Sequence, residues 1–218
     1  MDPLEKRELG GTGLRVTCIG LGCSGLGGMY GDISDEQAYD VVRRALSLGI
    51  NLFDTAPKYG YGTSERRLGT ALSGIPRERY VLCTKVGHLL RPAEGDGYVH
   101  STLFPETEEK PYPDFSYDGI MRSFEESLER LGVDYIDVLH IHDPDRDFEQ
   151  AVNESYPALA KLRCEGVIKG VSVGMNRWPM LVEFASAGEF DCFLIAGRYS
   201  ILDQSALEGI AGRHCVPI

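Results

Sequence analysis

The sequence predicts an α/β fold built from βα units, with parallel strands of the kind that form a barrel and a β-hairpin ahead of them. Three observations carry this. Short apolar runs rich in β-branched residues alternate with longer amphipathic segments, the pattern of repeated βα units. The helical segments carry their own punctuation: Ser34 and Gln37 are spaced as a capping box, and Gly49, Gly132 and Gly166 stand where a left-handed C-cap is favoured. The length of 218 residues, 43% of them apolar, fits one soluble domain, and α/β barrels run to about 250 residues.

The elements follow in chain order. Arg7–Leu9 and Leu14–Thr17 flank the turn-rich GlyGlyThrGly, which reads as a hairpin placed to plug the bottom of a barrel. Parallel strands are expected at Val16–Leu21, Asn51–Asp54, Tyr80–Lys85, Ile136–His142, Ile168–Val173, Cys192–Ala196 and Cys215–Ile218. Helices are expected at Asp35–Leu48, Ser64–Ser73, Tyr117–Leu131, Phe148–Arg163, Trp178–Ser186 and Ser205–Gly212. The one irregular interval is Val86 to Ser116, with Pro92, Pro105, Pro111 and Pro113. Its aromatics, Tyr98, Phe104, Tyr112 and Phe115, fit a loop that covers substrate, and its composition fits a mobile insertion equally well.

Composition excludes several function classes. With 22 basic and 33 acidic residues, the net charge of −11 argues against a nucleic-acid or anionic-membrane partner, which requires a clustered basic face. The longest apolar stretches, Val16 to Leu21 and Tyr135 to Ile141, fall far short of the roughly 20 residues of a membrane helix. The N-terminus MDPLEKRELG has no apolar signal-peptide region, so the expectation is a chain that starts here in the cytoplasm. Six scattered cysteines do not make a disulfide scaffold, and Cys18, Cys83, Cys192 and Cys215 lie in apolar strand-like runs.

Two local motifs have a chemical reading and a simpler one. Gly20-Leu-Gly22-Cys-Ser-Gly25 matches the dinucleotide fingerprint GxGxxG, but that turn needs a helix to open at once, and here no cap occurs before Ser34. The preferred reading is a glycine-rich βα loop that passes close to a bound ligand, with Gly22 facing it. His140 and His142 share a strand face, as in barrel metallohydrolases. The other histidines, His88, His100 and His214, do not fall at later strand ends, so no metal is expected and His140 reads first as a core residue.

A distributed constellation is more specific. Asp54 ends the second strand, Tyr59 follows five residues later, Lys85 ends the third and His142 the fourth. The C-terminal ends of barrel strands form one cup, and four polar groups at three successive ends converge there. Each alone reads as a strand-end cap or surface partner; together they make a site. A tyrosine with a solution pKa of about 10 needs help to exchange protons at neutral pH. A nearby ammonium lowers that pKa, an aspartate fixes the ammonium, and a histidine orients a carbonyl or hydroxyl. Such a site moves a proton to or from a carbon-bound oxygen, and hydride transfer as the other half requires a nicotinamide over the same cup.

The run GlyIleAsnLeuPheAspThrAlaProLysTyrGly, with ThrLys85 and IleHis142AspPro, resembles the aldo-keto reductases. The resemblance covers essentially the whole chain. It implies a (β/α)8 TIM barrel that binds NAD or NADP without a Rossmann domain, with Tyr59 as acid/base, Lys85 and Asp54 tuning it, and His142 orienting substrate. On the cofactor side it implies Gly22, Asp54, Gly174 and Asn176, although Gly170-Val-Ser-Val-Gly-Met-Asn176 departs from the common GlyValSerAsn run and Ala196 replaces the usual Gln. Trp178 and Tyr199 are the implied pocket residues beside Tyr59 and His142, against packing as the simpler role of Trp178. The segments 86–92 and 114–132 resemble the sugar-oxidising branch, whose members include L-fucose and L-galactose dehydrogenases and oxidise the C1 hydroxyl of an aldose to a lactone. Pyridoxal 4-dehydrogenases look similar. The implied chemistry is proton removal by the Tyr59 phenolate as hydride passes to the nicotinamide; the implied partner is a small aldose or aldehyde. A nicotinamide-binding partner protein without turnover, as in the aldo-keto-like β subunits of potassium channels, and a metal hydrolase are the competing classes.

The sequence stops at HisCysValProIle218, inside the expected seventh strand. The expectation is therefore a domain spanning 1–218 that is truncated before strand eight, weakened in cofactor affinity and silent on NAD against NADP.

Overall fold

A computed structural model of the protein describes residues 2–93 and 107–207 of the chain. A short antiparallel hairpin comes first, with β1 (Lys6–Glu8) pairing with β2 (Arg15–Thr17). Six strands then form one parallel sheet: β3 (Leu21–Gly22), β4 (Leu52–Asp54), β5 (Val81–Val86), β8 (Val138–His142), β9 (Gly170–Met175) and β10 (Cys192–Ile195). Neighbours in the sheet are neighbours in the sequence, the order of a barrel wall built one βα unit at a time. A second hairpin, β6 (His88–Pro92) with β7 (Glu109–Pro113), leaves the end of β5.

The crossovers are α1 (Asp35–Ser47), α2 (Thr63–Leu72), α3 (Tyr117–Leu131), α4 (Phe148–Gln150) running through one π turn into α5 (Tyr156–Cys164), and α6 (Trp178–Ala187). Ser34 and Gln37 form the expected capping box, with reciprocal bonds of 3.1 and 2.9 Å. Gly49, Gly132 and Gly166 all take the left-handed conformation just past their helices. The π turn interrupts what the sequence reads as one helix over 148–163. Pro157 has no N–H for the carbonyl one helical turn back, and Tyr156 N–H bonds to Ala151 instead.

Alternation along the strands divides the apolar residues between two faces. Phe53, Leu82, Leu139, Ile141, Val171 and Val173 face outward into the main core with the helices. Leu52, Val81, Cys83 and Val138 face inward, and Leu9, Leu14 and Val16 of the first hairpin pack on them, so the sheet curls around a plug at its N-terminal end. Further along the same inner face come Asp54, Lys85, His140, His142 and Gly174. The plug thus covers the N-terminal ends of the strands and leaves their C-terminal ends open, while among the described residues the sheet stays unclosed between β3 and β10. No helix among the described residues is long and apolar enough to cross a membrane.

Two expectations change, and several others fall outside the described residues. The expected first strand, Val16–Leu21, divides: its start belongs to β2, and only Leu21–Gly22 joins the parallel sheet. Thr17 causes the break, accepting at Oγ1 from Asn51 N–H, giving its own N–H to Asn51 Oδ1 and donating Oγ1–H to Ile19. Cys18 consequently lies outside any strand. The interval 86–116 contains the β6–β7 hairpin, which its prolines conceal; in a two-stranded ribbon each strand is an edge, so Pro111 and Pro113 leave no ladder bond unmade within a larger sheet. The expected strand 215–218, most of the helix 205–212, Tyr98, His100, Phe104, Pro105, His214 and Cys215 lie outside the described residues.

Candidate active site

The open ends of β4, β5 and β8 bring the four polar residues into one cup. Lys85 Nζ donates to Asp54 Oδ2 at 2.5 Å and to the Thr55 carbonyl at 2.8 Å, with its side chain 2% exposed. The same ammonium lies 4.7 Å from the Tyr59 ring centroid, and its charge acts directly on the phenol. The Tyr59 and His142 rings meet edge to face at 5.8 Å. His140 Nε2 stands 3.4 Å from the other Asp54 oxygen, without an aligned hydrogen bond. His140 is thus a buried neighbour of the constellation.

Burial opposes each charge here and partners decide the outcome. For Asp54, burial pushes the pKa up, but Lys85 and His140 outweigh it and the carboxyl titrates below its ordinary range. Burial disfavours the Lys85 ammonium, yet Asp54 and Tyr59 raise its pKa above the ordinary value. Burial also dominates at Tyr59 and raises the phenol's pKa; Lys85 pulls it down and Asp54 pushes it up again. The reading that Lys85 leaves Tyr59 with a lowered pKa is therefore corrected. Its pull has the expected sign, but it acts on a phenol that has lost most of its water. Burial drives the pKa of His142 far below the ordinary value, helped by the charges of Lys58 and Lys85, so its imidazole is neutral.

Tyr59 sits on a loop, so something must hold it. Its N–H bonds to the Ala56 carbonyl at 3.1 Å, and Ser64 N–H bonds back to the Tyr59 carbonyl at 3.1 Å. The loop crosses the glycine-rich segment so closely that a Cβ on Gly27 would lie 2.5 Å from the Tyr59 carbonyl carbon and 2.6 Å from Gly60 N. That neighbour is backbone and cannot swing aside. Gly27→Ala is therefore expected to destabilise the protein by about 1–3 kcal/mol and to displace Tyr59, read as a lower melting temperature and altered tyrosine fluorescence. An unchanged melting curve would show that the loop yields freely.

Comparison with known proteins decides the family. The aldo/keto reductase family profile matches residues 18–213. The chain belongs to the aldo/keto reductase family. It is 38% identical over 205 residues to D-threo-aldose 1-dehydrogenase of a Pseudomonas species, covering 89% of this chain and 60% of that protein. It is 40% identical over 219 residues to pyridoxal 4-dehydrogenase of Microbacterium luteolum, covering 92% and 64%. To L-galactose dehydrogenase of Arabidopsis thaliana it is 36% identical over 214 residues, covering 95% and 61%. Its fold superposes on an aldo-keto reductase of Bacillus halodurans in its holo form with a TM-score of 0.69, at 29% identity, covering 88% of this chain and 57% of that one. The chain spans 60–64% of the length of these curated relatives.

Within this aldo/keto reductase the remaining expected positions separate into two groups. Gly22 pairs with Asp54 across β3 and β4, and a Cβ there would meet nothing within 4 Å. Gly174 pairs with His142 across β9 and β8 and is buried against Leu194 and His140. Both glycines thus flank the cup. Asn176, just past β9, is exposed, and Trp178 at the start of α6 is half-buried; no hydrogen bond or ring contact joins either to the four polar residues. Tyr199 is 51% exposed. The cup also holds groups that strand-end reasoning missed. Lys58 Nζ pairs with Asp143 Oδ2 at 2.9 Å, Asp143 Oδ2 lies 3.6 Å from His142 Nε2, and the His88 ring stands beside His142. Asp143 carried a signal in its place directly after His142; His88 carried none, because it lies in the interval that reads as irregular.

Proposed function

We propose that this aldo/keto reductase catalyses the NAD- or NADP-linked oxidation of the C1 hydroxyl of an aldose to a lactone, and the reverse carbonyl reduction, with Tyr59 as acid/base. The observation that carries the reading is the buried Lys85–Asp54 pair whose ammonium stands 4.7 Å from the Tyr59 ring, with that ring edge to face against the neutral His142. In oxidation the Tyr59 phenolate takes the hydroxyl proton while the hydrogen on the same carbon leaves as hydride and the C–O bond becomes C=O. Lys85 stabilises the phenolate. Neutral His142 donates a hydrogen bond to the reacting oxygen and holds it toward Tyr59. Asp54 keeps Lys85 charged and fixed.

What supports a nicotinamide here is the space beside Asp54: a Cβ on Gly22 would meet nothing within 4 Å, and a cavity of about 290 Å³ bordered by Gly22, Asp54, His140 and Leu194 continues down the inner face to Leu9, Leu52 and Cys83 beside the plug. A cofactor bound there supplies the hydride acceptor or donor. Pyridoxal is the second substrate this reading includes, because its hemiacetal offers the same hydroxyl-bearing carbon and pyridoxal 4-dehydrogenase is a relative at 40% identity.

The raised phenol pKa fixes the sign of the pH dependence. Tyr59 is protonated at neutral pH, ready to donate in reduction, and must lose that proton before it can accept one in oxidation. Oxidation of L-galactose, L-fucose or pyridoxal, followed as NAD(P)H absorbance, is expected to rise by up to about tenfold per pH unit from about pH 7 toward pH 10. Reduction of a lactone or aldehyde stays flat over that interval and falls only above about pH 10. An oxidation profile with its limb near pH 6–7 would move the base to an imidazole, and no turnover on the aldoses and pyridoxal with either nucleotide would remove the assignment.

A further inference from the structure

The four polar residues leave two buried histidines beside the cup unused: His140, which stands against Asp54, and His88, which stands against His142. His88 opens β6 one residue after Gly87, whose φ of +101° turns the chain from β5 back across the strand ends. A Cβ on Gly87 would lie 2.4 Å from the Phe115 ring, so only glycine makes this turn. The turn sets the His88 ring edge-on to Phe115 at 5.6 Å and to His142 at 5.7 Å. With Tyr59 against His142 at 5.8 Å, three rings stand in a row: Tyr59, His142, His88.

His88 is 5% exposed and its Nδ1 has no hydrogen-bond partner. Buried polar atoms are nearly always paired, so an unpaired one bordering a cup calls for a ligand to satisfy it. Burial first, and the Lys58 charge second, bring the pKa of this imidazole down to about 3, so it is neutral, with one donor and one acceptor. Lys58 itself is paired with Asp143 at 2.9 Å. The end of the row beyond His142 therefore offers hydrogen bonds without net charge. That matches a hydroxyl, which both donates and accepts, better than a phosphate or carboxylate.

We propose that His88 is a substrate-positioning residue that hydrogen-bonds a second hydroxyl of an uncharged polyhydroxylated substrate, beside the carbon that reacts between Tyr59 and His142. The proposal rests on the reading of the cup as an aldose site and adds how it separates a sugar from a simple aldehyde. His88→Phe keeps an aromatic ring of similar size and removes both polar atoms; His88→Gln keeps a donor and an acceptor. Loss of the contact is expected to lower kcat/KM for L-galactose by about 10- to 100-fold in His88→Phe, carried mainly by KM, with partial recovery in His88→Gln. The loss on 4-nitrobenzaldehyde, which has no second hydroxyl, is expected to be at least about tenfold smaller. Equal losses on both substrates, no loss on L-galactose, or no recovery with Gln would overturn the proposal.

Imidazole NMR provides a second readout that needs no turnover. Titrating the unmodified protein with L-galactose should shift the His88 ring nitrogens, and 4-nitrobenzaldehyde should not; an unmoved His88 signal at saturating sugar counts against the contact. Tyr59→Phe separates the two ideas. If it retains turnover while His88→Phe still loses the sugar preference, the proton-transfer assignment fails and the His88 contact stands.

Discussion

Tyr59→Phe is expected to lower kcat for the proposed aldose oxidation by about 100- to 10,000-fold, the usual contribution of a positioned acid/base, while the melting temperature stays close to that of the parent. The split follows from the geometry. The ring keeps its place 4.7 Å from Lys85 Nζ and 5.8 Å from the His142 ring, and Lys85 keeps Asp54 and the Thr55 carbonyl. Only the hydroxyl proposed to move the proton is lost. Steady-state kinetics with saturating nucleotide and a thermal melt check both halves. Turnover within about threefold of the parent would assign proton transfer to another group.

Lys85→Met has the largest expected effect on stability, a loss of about 3–5 kcal/mol, because it leaves the Asp54 carboxylate in the cup without its counter-charge. In the parent the Asp54 pKa lies below the ordinary value, so the stability it contributes is present above about pH 3.9 and is lost as pH falls through the lower folded-state value. In Lys85→Met burial is no longer outweighed by the ammonium and the carboxyl pKa rises. The deficit is then largest at neutral pH and shrinks as acid protonates Asp54. Denaturant melts of both proteins at about pH 7 and pH 5 measure it, and Asp54→Asn added to Lys85→Met should recover part of the loss. A deficit independent of pH would locate the cost in packing instead of charge.

The two variants probe features of unequal legibility. Asp54, Tyr59, Lys85 and His142 could be read from the chain because strand ends are marked by the change from β-branched runs to glycine, proline and polar residues. Successive parallel strands then place those ends side by side. The aldo/keto reductase family was legible for the same reason, its residues clustering at those ends. The β6–β7 hairpin was not, since Pro92, Pro111 and Pro113 are evidence against a strand until the ribbon is known to have two free edges. The break in the first strand was equally hidden, for it depends on Thr17 meeting Asn51 across 34 residues of chain.

Periodicity and punctuation alone determined five of the six strands of the parallel sheet, from β4 to β10, where most helices start and stop, and which four side chains share an end of it. Those are consequences of local stereochemistry and of the order in which βα units are laid down. Tertiary structure decided the rest. It brought His88 beside His142 through the turn at Gly87, set Gly27 under the Tyr59 loop, and put the hairpin plug beneath the cup. It also reversed the expected shift at Tyr59. A charge pair can be inferred from residue types, but the desolvation that opposes it depends on how much water the folded chain removes, and that is a property of every element packed around the ring.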